Sequence, residues 1–250
     1  MSEAISSRAI AAGLPSDEQV IAIVPAAGIG SRMGADCPKQ YLPLAGSCIL
    51  EQTLKGLLSH NGISKVIVAL NPEDSFFGKL TVASHPKLET VTGGKERADS
   101  VLAALESLVA DKQLPANTWA LVHDAARPCL THGDIDKLLA SRKQYPQGAI
   151  LAAPVRDTMK RSGVDGCISE TVAREALWHA LTPQLFPLLT LTEALKAALA
   201  AGVLVTDEAS AMEWRGIHPA LISGRSDNIK VTHPDDLPLA ALYLAHQRGN

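Results

Sequence analysis

Four unbroken apolar runs set the strongest limit on how this chain folds. They are Val20-Ile21-Ala22-Ile23-Val24, Val66-Ile67-Val68-Ala69-Leu70, Trp119-Ala120-Leu121-Val122 and Ala149-Ile150-Leu151-Ala152-Ala153. A strand with one wet face alternates, whereas a strand that is apolar at every position is covered on both faces. Between and after the runs lie helical stripes, among them Ile49, Leu50, Leu54 and Leu57, then Val101, Leu105 and Leu108, then Ile135, Leu138 and Leu139. Buried strands alternating with amphipathic helices predict an α/β fold: a Rossmann-like, mostly parallel sheet with helices on both faces.

The pattern breaks after Pro154. Thr158–Ser162 and Ile168–Val172 flank Gly163-Val164-Asp165-Gly166, which predicts a β-hairpin. Neither strand has enough apolar residues to bury a face alone, so a protruding arm at about 155–175, packed against a second subunit, is expected. The α/β pattern then resumes. Leu191, Ala194, Leu195, Ala198 and Leu199 form a stripe with Thr190 and Glu193 as a capping box, and Thr232-His233-Pro234-Asp235 opens the last helix. The expected organisation is a loose tail at 1–18 and a single domain at 19–250.

Composition removes several classes of function. With 46% apolar and 20% charged residues, this is an ordinary globular chain. A net charge of -3 argues against a nucleic-acid binder held by bulk electrostatics. No apolar run is long enough to span a bilayer, and the first residues lack the apolar stretch of a signal peptide. Cys37, Cys48, Cys129 and Cys167 are scattered without a C-x-x-C pair, which reads as free thiols in a cytoplasmic protein.

In an open parallel sheet the ligand sits at the carboxyl ends of the strands, so chemistry is expected just after the apolar runs. The first run empties into PAAGIGSRMGADCPKQYL, residues 25–42. Gly28, Gly30 and Gly34 have no Cβ to hold a ligand off, so backbone N–H groups can close on a phosphate. Arg32 and Lys39 add positive charge. The spacing fits neither the dinucleotide G-x-G-x-x-G nor a P-loop.

His123-Asp124-Ala125-Ala126-Arg127-Pro128 follows the third run. Asp124 reads as a Mg²⁺ ligand shared with phosphate oxygens and water, or else as a turn cap or the partner of Arg127. His123 reads as a hydrogen-bonding neighbour. Residues 92–100, TGGKERADS, enter a helix. There Gly93 and Gly94 can admit a flat base with Ser100 at its edge, or simply start the helix. Lys230, in the strand-like run Asn228–Thr232, aims at a phosphate or guards a sheet edge. No Ser–His–Asp constellation stands out.

Taken in order, PAAGIGSRMG with CPKQYL, GGKERADSV, VHDAARP, APVRDTMKR, LWHALTPQ, TDEASA and DNIKVTHPDDL resemble the 2-C-methyl-D-erythritol 4-phosphate cytidylyltransferases of the non-mevalonate isoprenoid pathway. The resemblance runs from Val20 to the last helix. It implies transfer of CMP from CTP to the polyol phosphate, with release of pyrophosphate. It assigns the CTP phosphates to the backbone of Ala26, Ala27, Gly28 and Gly30 and to Arg32 and Lys39. Gly93, Gly94 and Ser100 fall near the cytosine and its sugar. Asp124 falls at Mg²⁺, or another divalent cation, with Arg127 beside it. Thr158, Arg174, Thr182, Thr206 and Lys230 fall on the polyol phosphate side, with Lys230 also at the reacting phosphate. The family is homodimeric through the arm, which carries Arg174 to the neighbouring site. A ribitol 5-phosphate cytidylyltransferase and a non-catalytic nucleotide-binding module remain the alternatives.

Overall fold

The computed structural model describes residues 18–28 and 37–249. In chain order its strands are β1 (Glu18–Pro25), β2 (Pro43–Leu44), β3 (Ser47–Cys48), β4 (Lys65–Leu70), β5 (Leu88–Thr92), β6 (Asn117–Val122), β7 (Ala149–Pro154), β8 (Met159–Ser162), β9 (Ile168–Val172), β10 (Trp178–Pro187) and β11 (Ala220–Ser223). Its helices are α1 (Ile49–Leu58), α2 (Arg97–Val109), α3 (His132–Ser141), α4 (Leu188–Ala200), α5 (Glu208–Trp214) and α6 (Asp236–Gln247).

The main sheet has seven strands in the order β11-β7-β10-β6-β1-β4-β5. β1 pairs in parallel with β4, Ile21 opposite Lys65, and with β6, Ile21 opposite Ala120. Its unbroken apolar run serves two cores. Val20, Ala22 and Val24 share one with Leu54 and Leu57 of α1 and Ile135 and Leu138 of α3. Ile21 and Ile23 share the other with Val101 and Leu105 of α2 and Leu191 and Leu195 of α4. Burying each such Val, Ile or Leu contributes about 2 kcal/mol, which is why these strands show no polar alternation.

One central strand departs from the parallel pattern. β10 lies antiparallel between β6 and β7, with Gln184 opposite both Val122 and Ile150. The register breaks between Ala180 and Gln184, around Pro183. Two prolines and this irregularity hide the strand from sequence reading. The edge strands β5 and β11 are hidden as well, because in β5 only Leu88 is buried and in β11 no residue is.

Gly148 admits β10 against β7. Its φ is +116°, and a Cβ there would lie 2.2 Å from Phe186 Cδ1 and 2.8 Å from the Leu185 carbonyl oxygen. Gly148→Ala is therefore expected to cost about 3 kcal/mol in backbone strain and overpacking. Chemical denaturation measures this, and an unchanged midpoint would contradict it.

Several local readings need correction. α4 starts at Leu188 behind Pro187, so Thr190 lies inside the helix and forms no capping box with Glu193. The capping boxes are Glu96 with Asp99 on α2 and Asp207 with Ser210 on α5. At α6 the acceptor is Asp236, whose Oδ2 takes the N–H groups of Thr232 at 2.7 Å and His233 at 2.8 Å. Residues 228–232 are not a strand; this irregular segment is tied to the chain after β6 by the bond from Val231 N–H to the Ala126 carbonyl at 2.8 Å.

The predicted hairpin forms, as β8 and β9. Its base closes where Val155 N–H donates to the Leu177 carbonyl at 3.0 Å. Val164 and Ile168 on the arm are exposed, as are Leu177 and Trp178 at its base. Of the tail expected at 1–18, residues 1–17 lie outside the described residues. Glu18 already belongs to β1 and meets Arg142 at 2.8 Å. All four cysteines are free thiols. No helix among the described residues is long and apolar enough to cross a membrane.

Candidate active site

The carboxyl ends of β1, β4, β5 and β6 converge on one mouth. After β1 the chain turns through Ala26-Ala27-Gly28. Ala26 uses its N–H on the Ala69 carbonyl at 2.8 Å, and its own carbonyl accepts Gln40 Nε2 at 2.8 Å. Ala26 is thus a fixed wall whose backbone N–H is already engaged, and Ala27 and Gly28 line the pocket beside it. A Cβ on Gly28 would meet nothing within 4 Å. Gly30 and Arg32 lie outside the described residues.

Lys39 opens a short 3₁₀ turn, Lys39–Tyr41. The turn is anchored on both sides of the chain. Gln40 holds Ala26, while the Tyr41 hydroxyl donates to Asp74 Oδ2 at 2.7 Å and its ring stacks on Phe76 at 5.1 Å. The PKQYL motif therefore works as a buried peg that carries Lys39 to the pocket rim.

The loop after β5 is pressed flat. Gly93 N–H donates to the Leu70 carbonyl at 2.7 Å, and a Cβ on Gly93 would lie 2.6 Å from that of Ala27. A Cβ on Gly94 would lie 2.3 Å from that of Asp99. Only glycine lets this loop lie between the β1 turn and the start of α2. The Ser100 hydroxyl takes the Gly94 N–H at 3.1 Å and donates to the Glu96 carbonyl at 3.2 Å. Ser100 is thus a staple for the loop as well as part of the lining. The pocket formed here is lined by Ala27, Gly28, Lys39, Gly94 and Ser100, with Arg97, Asp124 and Lys230 at its far wall.

A second pocket lies on the other side of that wall. Arg127, Thr182, Gln184, Thr206 and Asp207 line it, and it shares Arg97, Asp124 and Lys230 with the first. The sequence reading brought Lys39, Lys230 and Asp124 together, and the structure does the same. Thr182 and Thr206 line the second pocket, and so does Arg127, which was read with the nucleotide and metal residues and lies beside Asp124 on this side of the wall rather than in the first pocket. Thr158 and Arg174 are exposed on the arm and line neither pocket; Arg174 Nη1 donates to the Arg156 carbonyl.

Asp124 is the centre of the shared wall and is only 6% exposed. Its Oδ1 accepts Arg97 Nε at 2.9 Å, and its Oδ2 meets Lys230 Nζ at 2.9 Å and Arg127 Nε at 3.4 Å. Burial alone would raise its pKa, but Arg97, Lys230 and Arg127 overcome this and hold the carboxyl well below the usual range. Arg127 is itself oriented by the Asn228 carbonyl at 2.7 Å.

Behind Asp124 a buried chain fixes its backbone. His123 Nε2 lies 3.0 Å from the Arg127 carbonyl, which can only accept, so the proton sits on Nε2. The Thr182 hydroxyl then donates to His123 Nδ1 at 3.0 Å and accepts the Asp124 N–H at 3.0 Å. Complete burial pushes the His123 pKa down to about 4, so the ring is neutral near pH 7. His123 is the hydrogen-bonding neighbour it was read to be. Thr182 uses its hydroxyl on this chain, so it shapes the second pocket from the rear.

Three residues of the wall and its support escaped the sequence reading. Arg97 donates to Glu208 Oε1 at 2.7 Å and Oε2 at 3.0 Å, besides holding Asp124. Gln184 donates to Asp207 Oδ2 at 2.9 Å and accepts the Ala209 N–H at 2.9 Å. Arg97 and Glu208 stood inside quoted motifs, GGKERADSV and TDEASA, but their pairing spans 111 positions and no local spacing announces it.

Among the described residues no three or more His, Cys, Asp or Glu side chains cluster as a metal cage. A carboxylate offers roughly four acceptor sites, and three of those on Asp124 are taken. The donor set therefore fits a Mg²⁺ ion held by one carboxylate, with phosphate oxygens and water completing its shell.

Comparison with known proteins identifies the family and the fold. A family model described as IspD, 2-C-methyl-D-erythritol 4-phosphate cytidylyltransferase, matches residues 20–246. The protein of that name from Shewanella halifaxensis is 68% identical over 227 residues, covering 91% of this chain and 96% of the relative. Its counterpart from Shewanella amazonensis is 67% identical over 233 residues, covering 93% and 96%. A crystal structure of a 4-diphosphocytidyl-2C-methyl-D-erythritol synthase superposes with a TM-score of 0.78 at 37% identity, covering 90% of this chain and 98% of that one. The Francisella tularensis 2-C-methyl-D-erythritol 4-phosphate cytidylyltransferase gives 0.78 at 35% identity, covering 90% and 99%. Matches of this length in both sequence and fold leave one conclusion: the chain belongs to the 2-C-methyl-D-erythritol 4-phosphate cytidylyltransferase family.

Proposed function

We propose that this chain transfers CMP from CTP to 2-C-methyl-D-erythritol 4-phosphate, giving 4-diphosphocytidyl-2-C-methyl-D-erythritol and pyrophosphate. The observation that carries the reading is the pair of pockets that meet at one charged wall, Arg97, Asp124 and Lys230. The nucleotide takes the side of Gly28, Gly94 and Lys39, and the polyol phosphate takes the side of Thr206 and Arg127. Family membership supports the choice of both substrates.

The nucleophile is an oxygen of the phosphate monoester. It forms a bond to the α-phosphorus of CTP as the bond from that phosphorus to the pyrophosphate oxygen breaks. A monoester has a second pKa of about 6, so at neutral pH it needs no general base. The obstacle is repulsion between two anions and the charge that grows on pyrophosphate. Lys39 and Lys230 are placed to reduce both by positioning and by fixed charge. Asp124 would hold Mg²⁺ against the phosphates, and the ion would supply further charge neutralisation there.

We further propose a homodimer built through the arm, which carries Thr158 and Arg174 to the neighbouring second pocket. The exposed apolar residues Val164 and Ile168 on the arm support it. The four free thiols and a CTP substrate agree with the cytoplasm as its compartment. Pyrophosphate release measured with CTP and Mg²⁺ against a panel of polyol phosphates tests the reading. Release with 2-C-methyl-D-erythritol 4-phosphate is expected. Preference for ribitol 5-phosphate, or CTP binding without release, would overturn it.

A further inference from the structure

We infer that Glu208 is a positioning residue for the transfer reaction, acting through Arg97 on Asp124. This rests on the reading that the two pockets hold CTP and a polyol phosphate. Arg97 is the first residue of α2, where the nucleotide-side loop ends. Glu208 is the first residue of α5, directly after Thr206 and Asp207 of the other pocket. The guanidinium grips both Glu208 oxygens, at 2.7 and 3.0 Å, and its remaining edge donates from Nε to Asp124 Oδ1 at 2.9 Å. A planar fork held in this way has one orientation, which a lysine, as a point charge, cannot reproduce.

Burial makes the arrangement one-directional. Glu208 is 1% exposed, so an Arg97 that swung toward an incoming phosphate would leave a buried carboxylate uncompensated. Arg97 therefore stays on Asp124 when the nucleotide arrives. Lys230 has more freedom, because its side chain is 41% exposed and holds the other oxygen of Asp124. It can turn to a phosphate while Arg97 and Arg127 still neutralise the carboxylate. The same clamp pins the start of α5, whose Asp207 and Ala209 are bound to Gln184, and so sets the Thr206 side of the second pocket.

Glu208→Gln tests this by steady-state kinetics and by calorimetry with CTP. The expected result is a kcat ~10-fold lower and a KM for the polyol phosphate raised ~5-fold. The Kd for CTP should stay within ~2-fold, because Gly28, Lys39 and Gly94 are untouched. A second variant, Arg97→Met/Glu208→Met, replaces the buried pair by apolar side chains and is expected to fold. Its kcat should fall at least as far, and Arg97→Lys should not restore it. A lower Tm with wild-type kcat and KM in both folded variants would make the pair merely structural and overturn the inference. A Kd for CTP that rises in step with the loss of kcat would overturn it too. Absence of pyrophosphate release by the wild-type protein with every polyol phosphate would instead strike the functional reading beneath it.

Discussion

Replacing Asp124 by alanine is expected to damage stability and turnover together. The carboxylate is buried and neutralises three cations at once. Lys230 can relax into water, and Arg97 keeps Glu208, but the Arg127 side chain is 11% exposed and, among the described residues, would keep the Asn228 carbonyl alone as a hydrogen-bond partner. Removing one member of a buried charge cluster typically costs 3–5 kcal/mol, so a loss of about 3 kcal/mol in chemical denaturation is expected here. Turnover should fall ~1,000-fold, because the wall between the pockets loses its reference point and the candidate metal ligand goes with it. Asp124→Asn keeps the volume without the charge. It should recover part of the stability and little of the activity. Wild-type pyrophosphate release in Asp124→Asn would remove the carboxylate from the chemistry.

Lys39→Ala is expected to separate the two effects. Its 3₁₀ turn is held by neighbours, with Gln40 on Ala26 and Tyr41 on Asp74, so the fold should remain. Losing one preorganised cation at the proposed place of the reacting phosphate should cost about 3 kcal/mol in barrier, or ~100-fold in kcat. Unchanged denaturation with a collapsed kcat is the predicted signature. A kcat equal to wild type would refute the assignment of Lys39 to the reacting phosphates.

The contrast between these two residues shows what was legible in the sequence. Strands buried on both faces announce themselves, because every position must be apolar. That is why β1, β4, β6 and β7 could be read directly. β10 could not, since Pro183 and Pro187 argue against a strand and only its neighbours in the sheet make it one. Lys39 and Asp124 stand in short motifs at strand ends, where topology alone predicts ligands. Arg97 and Glu208 meet only because two helices start side by side, and that juxtaposition belongs to packing. Lys230 was found for a partly mistaken reason. It was read in a strand, and it reaches Asp124 from an irregular segment pinned through Val231.

The reversed direction of β10 has a bearing on how such a site can change. Loops that follow parallel strands can be lengthened or rewritten without disturbing the sheet, so the first pocket can change at its rim, though not where Gly93 and Gly94 are pressed against Ala27 and Asp99. Gln184 instead comes from a strand flanked by β6 and β7, opposite both Val122 and Ile150. An alteration there has to be absorbed by both flanking strands. With the polyol phosphate proposed for the second pocket, acceptor preference should consequently drift through Thr206 and its loop, while Gln184 stays put.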